Sequence, residues 1–266
     1  MSQPMNVTQW ASVLKSEGVR VKVNDDASTH NRNGHGRWGD VKGVMVHHTA
    51  GTDSLRVCRN GTADLPGPLC HAHIDKSGLV TLISTGRTNH AGRGSRAVFD
   101  AVLREDATPV TGPDEVDGNA YFYGFEIENR GDGKDLYPEA QYDAVVRLVS
   151  AVCRHHGWDP LSVIGHKQWT KRKIDPSFSV YDFRDAVAAR LAHDASWDPD
   201  ASTPTPTGPK RPQAYKDVCE TDAFPAPRPV GENEYWTLET YVRYLAEQTS
   251  AIIRKIAELS DKIDKL

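Results

Sequence analysis

The residues best equipped for chemistry are histidines at the ends of short apolar runs. Val44, Met45 and Val46 lead straight into His47 and His48, and Gly51 breaks the pattern just beyond. A run of this kind reads as a buried strand, so both histidines sit where a strand leaves its sheet on a rigid support. Alternation turns them to opposite faces, and regular geometry offers at most one of them to a given pocket. Two readings of the pair stand: a hydrogen-bonded core histidine beside an exposed one, or a metal ligand. A second apolar run, Val163 to Gly165, ends in His166, and Asp175 follows nine residues later (175 − 166 = 9) behind Lys173. That separation is too long for one helix face and requires a loop that curls back. Two strand-end histidines and a loop carboxylate suit a catalytic zinc whose fourth position stays open for water.

Other candidates surround this set. From Phe122 to Glu128 the pattern alternates, with Gly124, Glu126 and Glu128 on one face. On a central strand Glu126 faces a cavity; on an edge strand both glutamates are solvated. His90, in TNHAGRG, has small neighbours that leave room for a ligand, which makes it the candidate substrate contact. His71 and His73 share a face of a short strand. His30 and His35 lie in a polar stretch and read as solvated.

These side chains need elements to position them. A helix is expected over about Thr8 to Glu17, capped by Thr8, stopped by Gly18 and apolar at Trp10, Val13 and Leu14. A strand Val19 to Val23 follows. His71 to Ile74 and Leu79 to Ile83 flank DKSG as a hairpin. Gly51 to Leu69 is a long connection of the kind that walls a groove, and Arg104 to Ala120 reads as loop. Pro138 to His156 is an amphipathic helix that buries Tyr142, Val145, Val146, Leu148, Val149 and Val152 and closes at Gly157. Val180 to Leu191 is another, packing Phe183, Val187 and Leu191. The order predicts an α/β fold with a mixed central β-sheet flanked by helices.

Composition shifts at Asp198. Residues 1–197 read as the catalytic domain and 198–234 as a proline- and threonine-rich linker with an irregular continuation. Residues 235–266 read as a helix with an a/d stripe, from Tyr235 and Leu238 to Ile263 and Leu266, interrupted by Thr249. Self-association through this stripe is expected, with docking on the catalytic domain or on a membrane surface as the other options. Lysine and arginine number 32 against 36 acidic residues, a net charge of −4 with interspersed signs, which gives no basic stripe for nucleic acid. No apolar run approaches a membrane span. The start of the chain lacks a charged and then apolar leader, so the protein is expected to be made in a cytoplasm. The four cysteines show no paired spacing; reduced thiols are the default and a Cys58–Cys70 bridge stays open.

Five pieces, VMVHHTAG, CHAHIDKSGLV, NHAG, YGFEIEN and VIGHKQWTKRKIDP, occur in this order. Together they resemble the zinc-dependent N-acetylmuramoyl-L-alanine amidases, whose fold is shared by peptidoglycan-recognition proteins and several phage lysozymes. The resemblance spans about Val41 to Leu191. It implies His47, His166 and Asp175 as zinc ligands, Lys173 as an electrophilic helper, Glu126 as general base, and His71 close to the site. Many relatives carry a tyrosine just before the position of His71 and a cysteine as third ligand. Here Cys70 and Asp175 stand there, which fits the glutamate-using branch, with Cys70 a rival ligand. The implied substrate is peptidoglycan, cut between N-acetylmuramic acid and L-alanine of the stem peptide. A linker and an appendage without an export signal resemble a phage endolysin, which would act on the bacterial wall. A cytoplasmic wall-recycling amidase and a non-catalytic peptidoglycan-binding module are the alternatives.

Overall fold

The computed structural model describes residues 2–198 and the backbone of residues 224–230 and 233–236. The chain divides into two units, Met1–Ala201 and Ser202–Leu266. In chain order the first unit contains α1 (Val7–Ser16), β1 (Val21–Val23), β2 (Gly43–His48), α2 (Leu55–Asn60), β3 (Ala72–Ile74), β4 (Val80–Leu82), β5 (Arg93–Ser95), α3 (Arg96–Leu103), β6 (Asp114–Asp117), β7 (Phe122–Ile127), α4 (Glu139–His156), β8 (Val163–Gly165), α5 (His166–Trp169) and α6 (Val180–Leu191).

Six strands form one mixed sheet in the order β1-β4-β3-β7-β2-β8. Strands β3, β7, β2 and β8 run parallel, and the β3–β4 hairpin turns β4 and β1 the other way. The expected hairpin and the central position of the Glu126 strand are both present. Parity along β2 sorts the two cores. Val44 and Val46 pack with Trp10 and Leu14 of α1, Val145, Leu148, Val149 and Val152 of α4, and Phe183 and Val187 of α6. Met45 faces the other way, with Phe122, Ile164, Trp169 and Val98, Phe99 and Val102 of α3. Burying each such side chain is worth about 1.5–3 kcal/mol, so the two layers pin the register of β2 and β7 and thereby aim His47 and Glu126.

Four expectations differ in detail. Helix α1 is capped by Asn6, whose side chain accepts from Gln9 N while the Gln9 side chain accepts from Asn6 N; this reciprocal box satisfies two donors where Thr8 would satisfy one. The long connection after Gly51 contains α2. The stretch read as loop from Arg104 to Ala120 contains β6, which pairs antiparallel with β5. In the second unit, Phe224–Val230 pairs antiparallel with Asn233–Trp236, where the prolines suggested irregular chain. The heptad stripe beyond Trp236 lies outside the described residues. No described helix is long and apolar enough to cross a membrane.

Candidate metal centre

His47 is the fifth residue of β2 and points to the α3/α5 side of the sheet. His48, one residue on, points to the opposite side, where its Nδ1 lies 3.3 Å from the Tyr137 hydroxyl. His166 follows β8 directly and opens α5. Asp175 returns to it because Lys167 N donates to the Asp175 carbonyl at 2.7 Å. A side chain at Gly165 would stand 2.7 Å from Val180 and 2.9 Å from Pro176, so glycine there lets the returning loop close down on the strand end.

The three groups meet in a tight triangle. His47 Nδ1 lies 2.9 Å from His166 Nδ1, and both lie 3.2 Å from Asp175 Oδ2. All three residues are buried. The tautomers follow from the outer contacts. The Ala91 carbonyl only accepts, so His166 Nε2, at 3.1 Å, carries the proton. The Phe122 carbonyl likewise takes the proton of His90 Nε2 at 3.0 Å, which leaves His90 Nδ1 as acceptor for His47 Nε2–H at 3.0 Å. Both Nδ1 atoms therefore present lone pairs to each other and to a carboxylate oxygen. Three acceptors at this separation have no proton to share, and a cation among them satisfies all three. A tetrahedral ion with bonds of about 2.0–2.2 Å spaces its ligands roughly 3.3–3.5 Å apart, close to the triangle found. The residues fit a metal ion, and among the described residues they form the one such cluster.

Electrostatics agree with this arrangement. Burial, and next the neighbouring His166, lowers the His47 pKa to about 4, so the ring is neutral and able to ligate at pH 7.

Glu126 pairs in register with His47 on β2 and His73 on β3, so the three side chains stand in one row on the same face. Its Oε2 is buried without a hydrogen-bond partner. Burial pushes its pKa well above the ordinary carboxylate range; Cys58 and Asp175 push the same way, and Lys173 opposes. Lys173 is exposed on the loop that carries Asp175. Past Glu126 the row continues through His73, whose Nε2 lies 2.9 Å from Ser54 Oγ, to a cleft of about 720 Å³. Leu55, Arg56, His73, Thr81 and Glu128 line that cleft, and the triangle is not part of its wall.

Three other candidates fall elsewhere. His90 stands one layer behind His47 rather than in an open groove. His71 is fully buried, accepts from Gly124 N at 2.9 Å and stacks on Trp38, so no face of its ring is open to a ligand. Cys70 is a free thiol packed with Cys58 and Ile83, outside the triangle. Asn119, which sequence patterns do not single out, accepts from the backbone N–H of both His90 and Ala91. Its only local signal is a turn-forming Asp-Gly-Asn stretch.

Residues 37–178, more than half of the chain, match the family model described as N-acetylmuramoyl-L-alanine amidase. The chain belongs to the N-acetylmuramoyl-L-alanine amidase family. Solved structures similar to this amidase include the endolysin N-acetylmuramoyl-L-alanine amidase LysCS from Clostridium intestinale URNW, at 12% identity and a TM-score of 0.42, covering 63% of this chain and 95% of that one. Another is AmiD from E. coli in complex with anhydro-N-acetylmuramic acid-L-Ala-D-γ-Glu-L-Lys, at 19% identity and 0.41, covering 58% and 60%. A third is the Staphylococcus aureus hydrolase AmiA in complex with its ligand, at 14% and 0.43, covering 72% and 93%. No curated protein sequence matches the amidase.

Proposed function

We propose that this amidase is a zinc hydrolase that cuts the bond between N-acetylmuramic acid and L-alanine in peptidoglycan. The observation that carries the reading is the convergence of three lone pairs, from His47, His166 and Asp175, beside a carboxyl group with an unpartnered buried oxygen. A zinc ion held there supplies Lewis-acid polarisation of an amide carbonyl and acidifies water to a pKa of about 7. An amide is a poor electrophile with a poor leaving group, and the remaining roles fall to side chains. Glu126 takes the proton of the attacking water and returns it to the departing amine. Its raised pKa suits that exchange, since a carboxylate that readily holds a proton is the better base. Lys173 brings positive charge from the Asp175 loop to the oxygen on which charge develops. The test is metal removal: a chelator should abolish wall lysis and zinc should restore it, while Asp175→Ala should lose both zinc and lysis. Full activity in metal-free protein would overturn the reading.

The setting we propose is lysis of a bacterial wall by a phage endolysin, with the catalytic unit of residues 1–197 joined by the proline-rich segment to a self-associating tail. The composition shift at Asp198 and the heptad stripe support it. Turnover on intact sacculi should exceed turnover on soluble muropeptides; the reverse preference would favour a recycling role.

A further inference from the structure

The loop that reads NHAG, residues 89–92, touches both ligand histidines from behind. His90 Nδ1 meets His47 Nε2 at 3.0 Å, and the Ala91 carbonyl meets His166 Nε2 at 3.1 Å. The loop is itself held. Asn119 Oδ1 accepts from His90 N at 2.9 Å and Ala91 N at 2.8 Å, which uses both its lone pairs. The His90 ring lies flat on Gly124, where a Cβ would come within 2.3 Å of its Cγ and 2.4 Å of its Nδ1. Its far side is fixed by Nε2–H donating to the Phe122 carbonyl.

We propose that this loop, clamped by Asn119 and seated on Gly124, is a positioning device that keeps both ligand histidines in the tautomer with Nδ1 bare. The inference rests on the reading of His47 and His166 as ligands. An imidazole carries one proton when neutral, and it binds a cation only through the other nitrogen. In water the two tautomers interchange freely. In this buried pocket the outer acceptors decide, because a proton moved to Nδ1 would leave His90 Nδ1 or the Ala91 carbonyl buried without its donor. His90 is the critical link. It can accept from His47 only because its own proton is engaged by the Phe122 carbonyl. Gly124 belongs to the same device, since any side chain there would evict the His90 ring. These residues touch neither substrate nor the ion; they act through the ligands, and outer partners of this kind typically carry about 10–100-fold in metal affinity.

Two measurements on the full chain test this, neither of them activity. Zinc affinity comes from competition with a chromophoric chelator, and the histidine tautomers of the metal-free protein come from long-range 15N–1H spectra. His90→Leu should lower zinc affinity about 10–100-fold and let the His47 proton occupy Nδ1. His90→Asn, which keeps an acceptor near the Nδ1 position, should recover most of the loss. Asn119→Leu should weaken binding in the same way and Asn119→Asp should not, because only the latter still accepts from both N–H groups. Melting of the metal-free variants separates this from misfolding; should His90→Leu fail to fold, the Asn119 pair decides. Parental affinity with an unchanged His47 tautomer in folded His90→Leu, or equal binding by both Asn119 variants, would overturn the inference. A parent that binds no zinc would overturn the ligand assignment beneath it.

Discussion

Acid should destabilise the metal-free protein through histidines that the fold keeps neutral. His71 and His73 are fully buried, and burial lowers their pKa values from 6.5 to about 3 and about 4. Between those values and 6.5 the unfolded chain binds protons that the native protein refuses. Each contribution to stability is therefore complete above pH 6.5 and lost progressively as pH falls toward 3–4. At pH 4.5 each histidine costs roughly 2–3 kcal/mol, about 5 kcal/mol for the pair at 1.36 kcal/mol per pH unit. That is a large share of a typical 5–15 kcal/mol stability and corresponds to roughly a 10–20 °C fall in melting temperature. His47 and His90, also lowered by burial, act in the same direction once metal is gone. Glu126 acts in the opposite one, because its raised pKa makes the native protein the better proton binder from about pH 4.5 up to that raised value. Carboxylates with lowered values, such as Asp40 and Asp135, lose their contribution only below about pH 4 and leave this window clear. The assay is thermal unfolding of chelator-treated protein at pH 7 and pH 4.5. His73→Gln removes one titrating group while keeping a polar neighbour for Ser54, and it should shrink the loss between the two pH values by roughly 2–3 kcal/mol. An equal loss in parent and variant, or a flat melting temperature over the window, would refute the reasoning.

Glu126→Gln should keep zinc and peptidoglycan binding while turnover falls about 10²–10⁴-fold; parental activity there, with Glu128→Gln inactive, would move the base to the other carboxylate on that face. Because burial raises Glu126, the acid limb of kcat/KM should lie above the ordinary glutamate pKa of 4.5; a limb at or below that value would mean that another group takes the proton. Lys173→Ala should lower kcat with zinc affinity unchanged, whereas zinc loss in this variant would make the lysine a support of the Asp175 loop. The full chain should self-associate at micromolar concentration and a chain ending near Asp198 should not; light scattering that finds both monomeric would leave the heptad stripe docked on the catalytic unit.

The meeting of His47, His166 and Asp175 was legible because its signal is local. An apolar run ending in histidine fixes both the strand and the place where the side chain emerges, and β2 and β8 both obey that rule. The same holds for α4 and α6, whose apolar spacing and stops sit within their own segments. The surroundings of His90 were not legible. Small neighbours suggested room for a ligand, but the room is filled by the histidine itself, against Gly124 on a strand more than thirty residues away. The direction of His71 was not legible for a related reason: it precedes β3 rather than belonging to it, so strand alternation with His73 does not govern where it points. Strands β5 and β6 carry too little alternation to be seen alone, and their pairing is a product of tertiary contact. Helix α3 was within reach, since Ser95 caps it through Val98 N and Val98, Phe99 and Val102 mark its buried face.

The central claim is that His47, His166 and Asp175 hold a metal ion for cleavage of the muramoyl–alanine amide. Mass spectrometry of purified peptidoglycan tests it most directly, after digestion by native, chelator-stripped and zinc-restored protein. Stem peptides with a free L-alanine amino terminus should be released by the first and the third and not by the second. Release by the stripped protein, or glycan or peptide cuts elsewhere with that amide intact, would contradict the account.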